Sequence, residues 1–142
     1  MRSISFFQPM IPPTTTHNDL EIRFKKDKKS GRNVPYIGKT EALQKVEGKW
    51  EAYLAQHVPE IPMRGALKVE MRLCWPTEGK HRQGEPKVTK PDNDNTEKVV
   101  NDCLQRLGFF KDDSQIADNR TMKMWADPAG IYLKIEEMEW DA

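Results

Sequence analysis

The sequence predicts a single mixed α/β (α+β) domain. Three observations predict it. Several segments alternate apolar and polar residues with a period of two, and two others carry apolar residues at helical spacing. The chain has 142 residues, enough for one buried core, and shows neither an internal repeat nor a linker.

Ile4 and Phe6, followed by Met10, mark an opening strand, which Pro9 and the Pro12-Pro13 pair stop. Thr14 to Asn18 is hydroxyl-rich and reads as a turn. Leu20, Ile22 and Phe24 alternate with Glu21 and Arg23, which predicts a second strand. The basic stretch 25–32 reads as a hairpin tip, and Val34-Pro35-Tyr36-Ile37 as the returning strand. Pro35 places that strand at a sheet edge. From Thr40 to about Gln56, Leu43, Val46, Trp50, Tyr53 and Leu54 share one face of a helix. Trp50 and Tyr53 at that spacing are core or interface residues, and His57 at the helix end is a capping residue rather than a catalyst.

Leu67, Val69, Met71 and Leu73 alternate with Lys68, Glu70 and Arg72, a half-buried strand that Trp75-Pro76 ends. Residues 78–89 are polar and read as a mobile loop. A second helix runs from about Asn95 to Leu107, capped by Asp94 or Asn93 and stopped by Gly108, with Val99, Val100, Cys103, Leu104 and Leu107 as its buried stripe. Ile116 to Trp125 is a long alternating strand. Asp127-Pro128-Ala129-Gly130 is a turn, and Ile131, Leu133 and Ile135 complete a hairpin. The acidic tail from Glu137 onward is expected to fray.

No apolar run approaches the ~20 residues a membrane span needs. The first ten residues lack the apolar core and cleavage site of a signal peptide. Cys74 and Cys103 are far apart in apolar patterns, as expected of buried thiols in a reduced, cytoplasmic protein. The net charge of +1 conceals a segregation. Residues 1–90 hold 17 Lys and Arg against 10 Asp and Glu, whereas residues 91–142 hold 6 against 12. A basic front and an acidic back suit a protein that attracts a polyanion and holds cations. A chance partition of solvated surface charge accounts for it equally well.

The acidity concentrates at Asp92 and Asp94, two apart before a helix, and at Asp112-Asp113 beyond it, with Lys98 four residues after Asp94. An extended backbone turns Asp92 and Asp94 to the same side. Carboxylates held close raise one another's pKa, and a bound cation removes that penalty. Mg²⁺ takes hard oxygen ligands and keeps several waters. Helix capping accounts for one member of the Asp92/Asp94 pair, not for both together with Asp112 and Asp113. Lys98 read alone is an ion-pair partner of Asp94 or Asp102; beside a metal it would hold a phosphate oxygen. Other chemistries fail on spacing. The sixth position of an EF-hand counted from Asp92 is Glu97 rather than Gly. His17, His57, His81 and the cysteines have no zinc spacing, and neither a Gly-rich phosphate loop nor a serine elbow is present.

The run Lys90-Pro-Asp-Asn-Asp-Asn95, then Lys98, Asp102 and Gly108-Phe-Phe-Lys-Asp-Asp-Ser-Gln-Ile116, resembles the signature of the RusA-type Holliday junction resolvases, small endodeoxyribonucleases often carried by prophages. Pro9-Met-Ile-Pro-Pro13-Thr-Thr-Thr is similar to that family's N-terminal strand and loop. The likeness covers the whole chain, is strongest over residues 90–123 and is loose between residues 18 and 66. Thr96 departs from it, standing where many members have an apolar residue, and the loop before Lys90 is not a dense arginine run.

The resemblance implies a dimeric RusA-like fold, a small mixed β-sheet packed with two main helices. It implies Mg²⁺-dependent, or Mn²⁺-dependent, cleavage of four-way junction DNA by paired nicks in recombination and repair. The family's carboxylates match Asp92, Asp94 and Asp113 as metal ligands, and its lysine matches Lys98 as a catalytic residue; Asp112 is an uncertain neighbour. No small-molecule cofactor and no membrane are implied. Basic side chains expected on backbone phosphates are Lys25, Lys26, Lys28, Lys29, Arg32, Lys80, Arg82, Lys87 and Lys90. Two other readings stand beside this one: a non-catalytic junction-binding module with structural carboxylates, and a metal-dependent phosphohydrolase of small molecules.

Overall fold

The computed structural model describes residues 1–14 and 20–140. His17 and most of the expected turn at 14–18 lie outside the described residues. In chain order the elements are β1 (Ser3–Pro9), β2 (Leu20–Lys26), β3 (Asn33–Lys39), α1 (Glu41–Leu54), β4 (Leu67–Trp75), β5 (Glu85–Pro86), α2 (Asn93–Leu107), β6 (Ile116–Trp125) and β7 (Gly130–Glu137). Five strands form one sheet in the order β1-β7-β4-β6-β5. β4 and β6 run parallel and the other neighbours antiparallel, so the sheet is mixed.

The alternation in β4 sets the core. Val69, Met71 and Leu73 point to one side of the sheet and lie opposite Ile135, Leu133 and Ile131 of β7, all of them buried. Both helices cover that side. Leu43, Val46, Trp50 and Leu54 come from α1, and Val99, Val100, Cys103 and Leu104 from α2, joining the strands in one cluster. Trp50 is therefore core, not interface, at 1% exposure. Arg106 of α2 bridges Glu47 at 3.2 Å and Glu51 at 2.8 Å on α1, which ties the helices together at their rim.

Local chemistry explains the element ends. Thr40 caps α1, its hydroxyl accepting from the Leu43 N–H at 3.1 Å. Gly108 ends α2 in the left-handed region at φ 94°, where a side chain is strained. His57 sits in a short 3-10 turn after α1, stacked on Phe6 at 3.9 Å and bonded to Gln8 at 2.8 Å. Burial lowers its pKa, and it serves packing at the β1 edge. Cys74 and Cys103 are buried free thiols; burial pushes Cys103 up to about 12.

Three expectations are corrected. β6 and β7 do not pair as a hairpin, because β4 lies between them and hydrogen-bonds to both. A turn links them, but its geometry leaves room for the most apolar strand, which is buried at every inward position. Second, Glu137 is not part of a frayed tail. Its carboxylate accepts from Arg2 N at 3.1 Å and Arg64 N at 2.8 Å, closing the sheet end. Third, the 78–89 segment carries β5, and its Lys87 packs on Trp75 and Trp125 rather than standing free on a loop.

β2 and β3 form a separate two-stranded ladder, with Pro35 at an edge as expected. Ile22, Phe24 and Ile37 are exposed there, at 71%, 64% and 73%. Leu133 is enclosed between β4, β1 and the helices, so Leu133→Ala should cost about 2–5 kcal/mol in urea unfolding, against a near-neutral Val88→Ala at an exposed position.

Candidate active site

Helix α2 begins at Asn93, two residues earlier than the sequence pattern suggests. Asp92 is the residue before its first turn and has extended backbone, but its side chain makes no capping bond. Asp94 lies inside the first turn. The pair therefore does not share one side of an extended segment, because the helix has already begun between them. Asp94 faces a cleft between α2 and β6, and Asp92 does not line it. Both carboxylates still sit at the positive end of the helix dipole.

The cleft, of about 340 Å³, is lined by Asp94, Glu97, Lys98, Asn101, Asp113, Ile116 and Asn119. The α2 members fall at i, i+3, i+4 and i+7, one face of the helix. Lys98 is the centre of the charge. Its ammonium donates to Asp102 Oδ1 at 2.9 Å and to Asp113 Oδ2 at 3.3 Å, and makes no ion pair with Asp94 within 4.0 Å. The bond to Asp102 raises the Lys98 pKa, with partial burial working against it and Asp113 adding to it.

Gln105 positions Asp113 by accepting from its backbone N–H at 2.8 Å. The neighbouring Asp112 has a different duty. It caps the 3-10 turn Asp113–Gln115, its Oδ1 accepting from Ser114 N at 2.9 Å, while Gln115 Oε1 accepts from the N–H groups of Lys111 and Asp112. The Ser114 N–H holds the Asp112 carboxyl below its ordinary pKa. Asp112 is thus a structural cap that leaves Asp113 to the cleft.

Sequence reasoning passed over Glu97, Asn101 and Asn119. Glu97 accepts from the Thr121 hydroxyl, and Asn101 donates to Asn119 Oδ1 at 2.6 Å. The polar stripe 94–97–98–101 was readable as a helix face; Asn119 and Thr121 reach it only through β6. Asn101 is 7% exposed, and its carbonyl oxygen has no partner. Thr96, the departure from the family pattern, is also buried with an unpartnered hydroxyl.

Upstream of Asp92, Lys123 donates to the carbonyls of Thr89 at 2.6 Å and Pro91 at 2.7 Å. Lys87, expected on phosphates, is only 8% exposed. Its ammonium lies 4.3 Å from the Trp125 ring centre and 5.1 Å from that of Trp75, and donates to Thr89 Oγ1 at 2.5 Å. Burial, then Lys123, lowers its pKa. Lys87 is withdrawn from the surface because two indole faces replace its water. Lys80, Arg82 and Lys90 are exposed nearby, and Lys25, Lys26, Lys28, Lys29 and Arg32 are exposed around the β2–β3 turn. Two larger grooves lie elsewhere: one by Arg2, Glu60 and Arg64, where Glu137 is already bonded, and one by Met63, Gln105 and Lys111.

The donors of the cleft are hard oxygens, the carboxylates of Asp94, Glu97 and Asp113; Asn101 Oδ1 is unpartnered but buried. That chemistry fits Mg²⁺ or Mn²⁺ and excludes a thiolate-seeking ion. Among the described residues, no group of three His, Cys, Asp or Glu side chains converges to hold an ion unaided. A cation that keeps waters and takes phosphate oxygens needs fewer protein ligands.

With this geometry in view, the comparisons are specific. The sequence model of the family described as endodeoxyribonuclease RusA matches residues 11–136. The chain belongs to that family, whose description gives an enzyme that cuts within DNA. It is also similar to the uncharacterized protein YqaN of Bacillus subtilis (strain 168), at 30% identity over 95 residues, which is 59% of this chain and 66% of that relative. No helix of the described residues is long and apolar enough to cross a membrane.

Because the native state lowers the Asp112 pKa, its cap is at full strength above the ordinary carboxylate range and is lost as pH falls through the lowered value. In urea unfolding, Asp112→Ala should therefore be less stable than wild type at neutral pH, and the gap should close as the medium is acidified below about pH 4.

Proposed function

We propose that the chain is a divalent-metal-dependent, structure-selective endodeoxyribonuclease that resolves Holliday junctions by paired phosphodiester hydrolysis in recombination and repair. The carrying observation is that Asp94 and Lys98 of α2 and Asp113 of the turn beyond it line one cleft in a chain of this family. Asp94 and Asp113, with Asp92 at the mouth of α2, would hold Mg²⁺, for which Mn²⁺ would substitute. Such a cation supplies charge neutralisation at the phosphate and makes water a stronger nucleophile.

The protein's own side chains account for the rest. Asp102 holds the Lys98 ammonium pointing toward Asp113. A phosphate arriving there exchanges with the Asp113 carboxylate as the partner of Lys98, and the ammonium then stabilises the charge that builds on the phosphate oxygens. Asn101 and Glu97 form the polar floor against β6, with Glu97 fixed by Thr121. The exposed cations at 25–32, with Lys80, Arg82 and Lys90, contact backbone phosphates; Lys87 does not. A two-fold homodimer places two such clefts on a two-fold junction, in keeping with paired nicks. The substrate is four-way junction DNA, and the setting is the cytoplasm.

The second reading is a junction-binding module without catalysis. It is favoured by the neutralisation of Lys98 between Asp102 and Asp113 in the protein alone.

A synthetic four-way junction with Mg²⁺ or Mn²⁺ decides between them. Wild type should give paired nicks, and Asp94→Asn, Asp113→Asn and Lys98→Met should each slow cleavage by about 100-fold or more with junction binding in EDTA retained. Full activity in Asp94→Asn, or no nicking with any divalent ion, sinks the nuclease reading. Separately, replacing Lys25, Lys28 and Lys29 by Ala should flatten the slope of log affinity against log salt by about 0.9 for each phosphate that is no longer neutralised.

A further inference from the structure

The segment from Lys87 to Asn93 runs along β6 and is fastened to alternate residues of that strand. The Lys87 N–H donates to the Lys123 carbonyl at 3.1 Å, and the Lys123 ammonium returns to the carbonyls of Thr89 at 2.6 Å and Pro91 at 2.7 Å. Asn93 Nδ2 donates to the Thr121 carbonyl at 3.2 Å, and the Lys87 ammonium packs on the Trp125 ring at 4.3 Å. The Thr121, Lys123 and Trp125 side chains lie on one face of β6. Between these fastenings sits Asp92, directly after the Pro91 carbonyl, and α2 starts at the next residue.

Lysine suits this duty, since its ammonium carries three donors on one point and can serve two carbonyls at once. Lys123 is half-buried, with two of those donors committed to backbone. It is not a free surface cation of the kind that meets phosphates.

We propose that Lys123 is a positioning residue for the carboxylates at the start of α2, fixing through the Thr89 and Pro91 carbonyls the turn that carries Asp92 beside the cleft and leads into Asp94. This rests on the metal-dependent reading above. Without the ammonium, the two carbonyls lose their donors, and between Lys87 and Asn93 the turn loses its side-chain hold on β6. The cost then falls on the alignment of Asp92 with Asp94, and so on cation affinity more than on DNA affinity. Outer groups that orient metal ligands are worth about 10- to 100-fold in metal affinity.

The test measures Mn²⁺ binding by loss of the free-ion electron paramagnetic resonance signal, for wild type, Lys123→Met, Lys123→Arg and Lys123→Gln. Junction binding in EDTA and cleavage as a function of Mn²⁺ concentration are followed alongside. Lys123→Met should weaken Mn²⁺ binding about tenfold or more, move the cleavage midpoint to higher Mn²⁺, and leave junction binding in EDTA within about twofold, with saturating Mn²⁺ restoring most of the rate. Lys123→Arg, which keeps the donors, should recover most of the affinity. Should Lys123→Met fail to fold, Lys123→Gln, which keeps one donor amide, should show an intermediate loss. Unchanged Mn²⁺ affinity in the variants, with wild type binding normally, overturns the inference alone. A loss of junction binding in EDTA that matches the loss of cleavage also overturns it, marking Lys123 as a phosphate contact. A wild-type protein that binds no Mn²⁺ overturns the metal reading and this inference with it.

Discussion

The parallel pairing of β4 with β6 is the constraint on which the acidic cleft depends. β4 can bury Val69, Met71 and Leu73 under the helices in only one orientation, since a slip of one residue would turn them to water. That orientation fixes the register of β6. Asn119, Thr121, Lys123 and Trp125 then lie beside the inward positions Val69, Met71, Leu73 and Trp75. These β6 side chains are polar or amphipathic where those of β4 are apolar. They meet α2 and the segment before it, not the middle of the core. The hydrophobic register of one strand thereby decides which polar atoms of the next reach the carboxylates.

Charge in the cleft is balanced locally rather than left bare. Asp102 and Asp113 share Lys98, Glu97 is bonded to Thr121, and Asp112 is taken up by a turn. Asp94 has no such cationic partner among the described residues, and the Asn101 carbonyl has none of any kind. An unpaired carboxylate beside an ammonium already shared by two others is an arrangement that the proposed cation and phosphate would relieve together.

The lysines divide into two populations that composition cannot separate. Those of the β2–β3 turn and Lys80 and Lys90 project into water and keep their hydration. Lys87 and Lys123 have given up water for aromatic faces and backbone carbonyls. Desolvation makes that exchange costly unless the new partners are well placed, and here they are: two indole rings, a hydroxyl and two carbonyls.

Much of this protein is determined by sequence alone. Period-two alternation locates β1, β2, β4, β6 and β7, and helical spacing locates α1 and α2, because burial of one face imposes those periods directly. The motif from Lys90 to Ile116 carries the family, and its spacing brings Asp94, Lys98 and Asp113 within one helix and its exit turn. Other features needed the tertiary structure. Strand order is not periodic, so the alternation of β6 and β7 reads as a hairpin, although β4 lies between them. The direction of Asp92 depends on where α2 starts, at Asn93 rather than near Asn95. Asp112 and Asp113 are the same residue type side by side; the family pattern favours Asp113, but the duty of Asp112 shows only in the turn that it caps. Lys123 and Asn119 reach partners 18 to 34 residues away along the chain yet adjacent in space, and the burial of Lys87 depends on indoles from two different strands. Such contacts leave no local pattern, because they follow from packing, and packing is settled only when the whole core closes.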